Sequence, residues 1–185
     1  MKNLSIFGII LFVTLSCEDP GQENVHEISL LPTLISRDGK TYQESIDAWG
    51  ELKVTNGDSY IYQTTHTSWS SHGNTTEIRV DDGVVTTRIY QEFKINPSNS
   101  DRTITYSYRE DGDGVGSNPK GAEPLTIDEL YQTCIKDFMT ADVETNTVYF
   151  QTTTEGLMTL CGFVPEGCAD DCYHGIRIYS FAWQR

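Results

Sequence analysis

Basic side chains are scarce in this chain. Its 185 residues carry 13 Lys and Arg against 27 Asp and Glu, a formal charge of −14. Affinity for nucleic acid comes mostly from Lys and Arg neutralising phosphates, so no nucleic-acid partner is expected. An anionic lipid surface would repel the chain too. Long apolar runs are also missing. The longest, Leu4 to Leu15, is about a dozen residues, whereas a helix crossing the hydrocarbon core needs roughly 20. There is no internal repeat and no low-complexity tract, which excludes a solenoid or a disordered stalk. Neither a Gly-x-Ser-x-Gly elbow nor a close Cys-x-x-Cys pair occurs, which removes the commonest signatures of an esterase and of a zinc site.

The N-terminus is informative. One positive charge at Lys2, the apolar run, and small Ser16 directly before Cys17 read as a cleavable signal peptide over residues 1–16. A cysteine at the first mature position is where a diacylglyceryl group is attached through the thiol. Thr14-Leu15-Ser16-Cys17 resembles a bacterial lipobox, with Leu15 one place later than usual, and Glu18-Asp19 resembles the acidic export tag of some surface-displayed lipoproteins. The expectation is lipidation at Cys17, a tether over residues 17–40, and one domain over residues 41–185. The protein is then anchored in the bacterial cell envelope, at the outer membrane or cell surface.

Tyr42, Ile46, Trp49 and Leu52 recur at helical spacing, and Asn56-Gly57 ends the run, predicting a helix over residues 42–53. Alternation then takes over. Tyr60 and Tyr62 share one strand face, Ile78 and Val80 another, and Asp81-Asp82-Gly83 turns the chain into residues 84–93 as a hairpin. Ile104, Tyr106 and Tyr108 share one side of the next strand. Residues 110–123 read as a mobile acidic loop. Thr126 with Glu129 forms a capping box for a second helix whose buried stripe is Ile127, Leu130, Tyr131, Cys134 and Phe138. Residues 147–153, 157–163 and 175–183 read as closing strands. The predicted fold is α+β, in the order α-β-β-β-β-α-β-β-β: a single twisted antiparallel sheet with both helices on one face and the other face wet. Residues 28–31 could add a short strand from the tether.

Four cysteines remain after Cys17, an even number in an exported chain, which reads as two disulfides. Helix-to-sheet geometry favours Cys134 with Cys161, leaving Cys168 with Cys172. The pairing of Cys161 with Cys168 and Cys134 with Cys172 stays open, as does a zinc set of Cys161, Cys168, Cys172 and His174. Asp111-Gly112-Asp113-Gly114 suggests calcium, but an EF-hand count from Asp111 puts Val115 at position five and Ala122 at position twelve, so the match fails. Residues 66–72 hold His66, Ser68, Ser70, Ser71 and His72, yet nothing orients a base on a nucleophile there. Asp81-Asp82 and Asp170-Asp171 are adjacent acids that point apart on a strand or turn. The alternating tyrosines, with Tyr179, Phe181 and Trp183, read mainly as core, with a carbohydrate-stacking platform as the alternative. Trp69 stands apart, because a Trp in a polar loop is an interface anchor.

Trp49, Tyr60-Ile61-Tyr62, Asp82-Gly83-Val84-Val85 and Thr126-Ile127-Asp128-Glu129-Leu130-Tyr131 together resemble an uncharacterised family of small exported bacterial domains, often lipoproteins. The resemblance spans residues 45–183. It implies a shared fold and carries no activity. No cofactor and no resident metal are expected. The expected function is a non-enzymatic, lipid-anchored binding module for a protein or glycan. The alternative is an inhibitor-like protein that blocks an exported enzyme, and a small hydrolase is third.

Overall fold

Two threonines set where the helices begin. Thr41 and Thr126 each accept from the amide three residues on, while Glu44 and Glu129 reach back to the cap amides, completing two capping boxes. The computed structural model describes residues 39–184. Cys17, the signal peptide, all but the last two residues of the tether and the strand expected at residues 28–31 lie outside the described residues.

Helix α1 spans Tyr42–Asn56 and helix α2 spans Ile127–Thr133, the latter running into a π-helical turn over Cys134–Phe138. Among the described residues eight strands accompany them: β1 Tyr60–Thr67, β2 His72–Asp81, β3 Val84–Ile95, β4 Arg102–Asp111, β5 Asn146–Thr152, β6 Met158–Pro165, β7 His174–Arg177 and β8 Ser180–Trp183. Asp82 and Gly83 both take positive φ, 48° and 77°, and close the expected two-residue hairpin between β2 and β3.

The fold class is α+β and antiparallel, but the single sheet is corrected to two. One sheet has the order β4-β3-β2-β1-β8 and the other β5-β6-β7. The expected last strand is in fact two. The Ile178 amide donates to the Thr159 carbonyl, on the small sheet, and the next amide, Tyr179, donates to the Gln63 carbonyl, on the large one. The chain therefore changes sheets between adjacent residues. Burial changes phase at the same place: Ile176 and Ile178 are buried before the switch, and Phe181 and Trp183 pack on the core after it.

Both helices sit on one face of the large sheet, and the small sheet completes the same core. Trp49 is 1% exposed, stacks on Trp183 and meets Tyr60 and Phe181 edge-on. The Tyr131 hydroxyl accepts from the Met158 amide (2.9 Å) and lies 2.7 Å from Ser45 Oγ, which donates to the Gly156 carbonyl, so α1, α2 and β6 share one buried network. The Cys134–Cys161 and Cys168–Cys172 disulfides are those favoured by helix-to-sheet geometry. Constraining an unfolded loop of 27 residues' separation contributes about 3.5 kcal/mol for the first on a chain-entropy estimate.

The other face of the large sheet is not wholly wet. Ile89 and Phe93 are buried there, outside the main core, and the Arg102 guanidinium lies 3.6 Å from the Phe93 ring centre. Glu77, fully buried on that face, accepts from Arg79 and from Gln63 Nε2, and Ser180 Oγ donates to Gln63 Oε1 (2.7 Å). This network holds the start of β8 in register on β1. A further correction concerns β4. A register shift opposite Glu92 and Phe93 places Ile104 against Phe93 and Tyr106 against Glu92, so these two residues lie on opposite faces.

Candidate functional site

Because β8 covers β1 only along Tyr60–Gln63, the C-terminal half of β1 has no paired strand on that side among the described residues. β7, which would have covered it in a continuous sheet, has turned away to pair with β6. The gap between the two is a cleft of about 500 Å³, within the range of roughly 300–1,000 Å³ typical of ligand sites.

One wall is residues 64–67 of β1 with Asn74 of β2, and the facing wall is Gly175, Ile176 and Arg177 of β7 with Tyr173. Ala122, Glu123 and Leu125 close one side. Tyr62, Leu130 and Phe138 supply the apolar floor. Tyr62 is fixed by donating its hydroxyl to the Leu125 carbonyl (2.6 Å), and burial pushes its pKa up, so it stays a neutral donor. Tyr173 donates to the Ile176 carbonyl (2.8 Å), its pKa also raised by burial, and the Arg177 guanidinium lies 5.0 Å from its ring centre.

Of residues 110–123, expected to be a mobile acidic loop, Glu110 and Asp111 close β4 and the remainder is clamped by hydrogen bonds. Arg88, on β3, donates to Glu110 (2.8 Å) and to the carbonyls of Ala122 (3.0 Å) and Asn118 (2.6 Å). Glu110 in turn accepts from the amides of Gly116 and Asn118 and from Ser117 Oγ. The Ala122 amide also donates to Thr76 Oγ1 (3.0 Å). The side wall of the cleft is thus set by a buried ion pair one strand away.

Burial alone would raise the pKa of Glu110, but the hydrogen bonds from Arg88, Gly116 and Asn118 together outweigh it and hold the carboxyl below its ordinary value. Asp111 is drawn down to about 2 by hydrogen bonds from Arg109 and Thr87. A carboxyl whose folded pKa is depressed adds stability above its unfolded pKa, which is lost as pH falls through the folded one. Denaturant midpoints are therefore expected to be flat above about pH 5 and to fall between about pH 4 and 2. In Glu110→Gln the slope of that fall should be shallower.

Several sequence candidates fall elsewhere. Trp69 sits at the tip of the β1–β2 hairpin and is 81% exposed. His66 is in the cleft wall, while His72 bonds the Ser70 carbonyl through Nδ1 (3.0 Å). Among the described residues neither histidine hydrogen-bonds a carboxylate, so residues 66–72 assemble no base and orienting acid. The cysteines of the imagined zinc set are tied up in disulfides, and His174 stacks on Phe163. Asp111 of the calcium candidate is held by Arg109 and Thr87. Asp81 accepts from Thr86 Oγ1 (2.6 Å), and Asp82 donates its amide to Ser59 Oγ (3.0 Å), whose hydroxyl donates back to the Asp82 carboxylate (3.5 Å), so both acids serve the hairpin. Asp171 is the one member of the paired acids that reaches the cleft. Tyr60 and Tyr62 are core, as expected, whereas Tyr90, Tyr106 and Tyr108 form a separate cluster, with Tyr106 40% exposed. No family model, no curated protein and no solved structure matches the chain.

The sequence reading missed His66 as a wall residue, and with it Arg177, Glu123 and Asp171 as a group. One signal was present. The apolar alternation of residues 175–183 changes phase midway, which is the mark of a strand that changes sheets.

Proposed function

We propose that the protein is a lipid-anchored envelope protein whose domain binds a protein or glycan partner, with the cleft between β1 and β7 as its recognition site. The observation that carries this reading is the cleft itself. It has an apolar floor, and its rim of Thr64, His66, Asn74, Glu123, Asp171 and Arg177 offers donors and acceptors to a ligand. Pockets of this kind, mostly apolar with a few convergent polar groups, are the usual form of a binding site. The two disulfides suit an oxidising compartment outside the cytoplasm, and Cys17 supplies the anchor.

Two measurements test the reading. Cys17→Ser should move the protein from the membrane fraction to the soluble one and abolish incorporation of labelled palmitate. Material that stays membrane-bound and labelled would remove the anchor. The soluble form, immobilised against intact envelope, should retain a partner that His66→Ala with Arg177→Ala loses. Retention indifferent to those changes would move recognition away from the cleft.

The exposed Trp69 favours a second reading, the inhibitor-like one, in which the hairpin tip enters the site of an exported enzyme. Trp69→Ala then abolishes retention while the cleft variants leave it intact.

A further inference from the structure

The cleft differs from an ordinary pocket in what its two long walls are made of. Among the described residues, each is a strand edge that no further strand pairs with. Hydrogen bonds from Gln184 N to Ser59 O and from Tyr179 N to Gln63 O show that the odd-numbered residues of β1 direct their backbone groups away from β2. The alternation of an antiparallel ladder extends this to Thr65 and Thr67. These two lie beyond the last residue of β1 that β8 pairs with, and among the described residues no strand pairs with them on that side. The same reasoning applies across the gap. Ile178 N donates to Thr159 O, so even-numbered residues of β7 face β6, and Gly175 and Arg177 direct their amides and carbonyls outward. All four of these residues line the cleft.

An unpaired strand edge is a template for another chain, and proteins normally blunt it with charge, proline or a covering loop. Here neither edge carries a proline, and both edges line one apolar-floored cleft. We propose that this cleft takes an extended peptide segment of a partner protein, which pairs as an added strand with Thr65 and Thr67 of β1. The proposal rests on the cleft being the recognition site and names the class of ligand it takes. In this mode the main-chain ladder supplies affinity and the alternate side chains supply specificity. One face of the added strand meets Tyr62, Leu130 and Phe138, which calls for aliphatic side chains at every second position. The rim favours cationic residues between them. Glu123 and Asp171 stand at its edge, the Arg177 guanidinium is drawn over Tyr173, and the chain as a whole carries −14.

The test uses the mature chain with Cys17→Ser and a short blocked peptide of alternating valine and lysine, followed by amide NMR. Saturable shifts are expected at Thr65, Thr67, Gly175 and Arg177. Methylating alternate backbone nitrogens of the peptide in the phase that faces β1 removes its ladder donors and should weaken binding by about tenfold or more. Methylation in the opposite phase should change it by less than about threefold. Replacing lysine by glutamate in the peptide should weaken binding. Thr65→Pro removes the outward N–H while sparing the ladder to β2 and should abolish the shifts. If that variant does not fold, the methylated peptides carry the test alone. Equal tolerance of methylation in both phases, shifts confined to other residues, or no saturable binding overturns the proposal. So does protection of the Thr65 and Thr67 amides in the mature chain before peptide is added, which would assign the edge to the chain itself. An envelope partner still retained by Thr65→Pro would sink strand pairing alone, whereas no retained partner would sink the binding reading as well.

Discussion

Arg88→Ala is expected to lower the unfolding free energy by about 3–5 kcal/mol, because it leaves a buried carboxylate without its counter-charge. Arg88 and Glu110 are both almost fully buried, and Arg88 also holds two carbonyls of the 112–124 segment. The loss has two separable parts. Removing the charge imbalance with Arg88→Met and Glu110→Leu together should restore much of the stability, since buried ion pairs are often replaceable by apolar residues at little net cost. The clamp on Asn118 and Ala122 does not return in that double variant. Its 112–124 segment should be cut faster by protease than in the parent, and the cleft, having lost a fixed wall, should bind more weakly. Urea midpoints measure the first effect and limited proteolysis the second.

Trp49→Ala is expected to cost a similar amount, about 3–5 kcal/mol, the usual range for truncating a large buried aromatic. The reason is positional. Trp49 touches β1 and β8 at once, through ring contacts of 5.3 Å with Tyr60, 5.4 Å with Trp183 and 5.9 Å with Phe181. Aromatic pairs of this geometry add about 0.5–1.5 kcal/mol each beyond the area they bury. β8 is only four residues long and owes its seat to these contacts and to the Ser180–Gln63–Glu77 network on the opposite face. Near-UV circular dichroism should fall along with the urea midpoint, and the β8 amides should lose protection before those of β2 and β3. Trp49→Phe keeps much of the ring contact and should cost less than half as much.

Much of the local structure was legible in the residues. Thr126 with Glu129 marked a helix start because the two side chains satisfy orphan amides reciprocally. Asp82-Gly83 marked a hairpin because both positions need positive φ. The stripe that put Cys134 toward the sheet also put it beside Cys161. What was not legible depends on long-range competition. Residues 175–183 satisfy strand chemistry throughout, and which sheet each half joins is decided by Thr159 and Gln63, both far away in sequence. A bulge moved Ile104 to the face opposite Tyr106 with no turn residue to announce it. The acidic stretch of residues 110–123 looked mobile because its composition is that of a loop, while the arginine that pins it lies on β3. The cleft follows from the sheet switch, so the site was hidden for the same reason as the switch.

Amide hydrogen exchange along residues 64–67 tests most directly whether β1 presents an open edge where the two sheets part. The Thr64 amide, directed toward β2, is predicted to exchange slowly, and those of Thr65 and Thr67 rapidly. Uniform slow exchange along the stretch would mean that the edge is already paired, and would contradict the account.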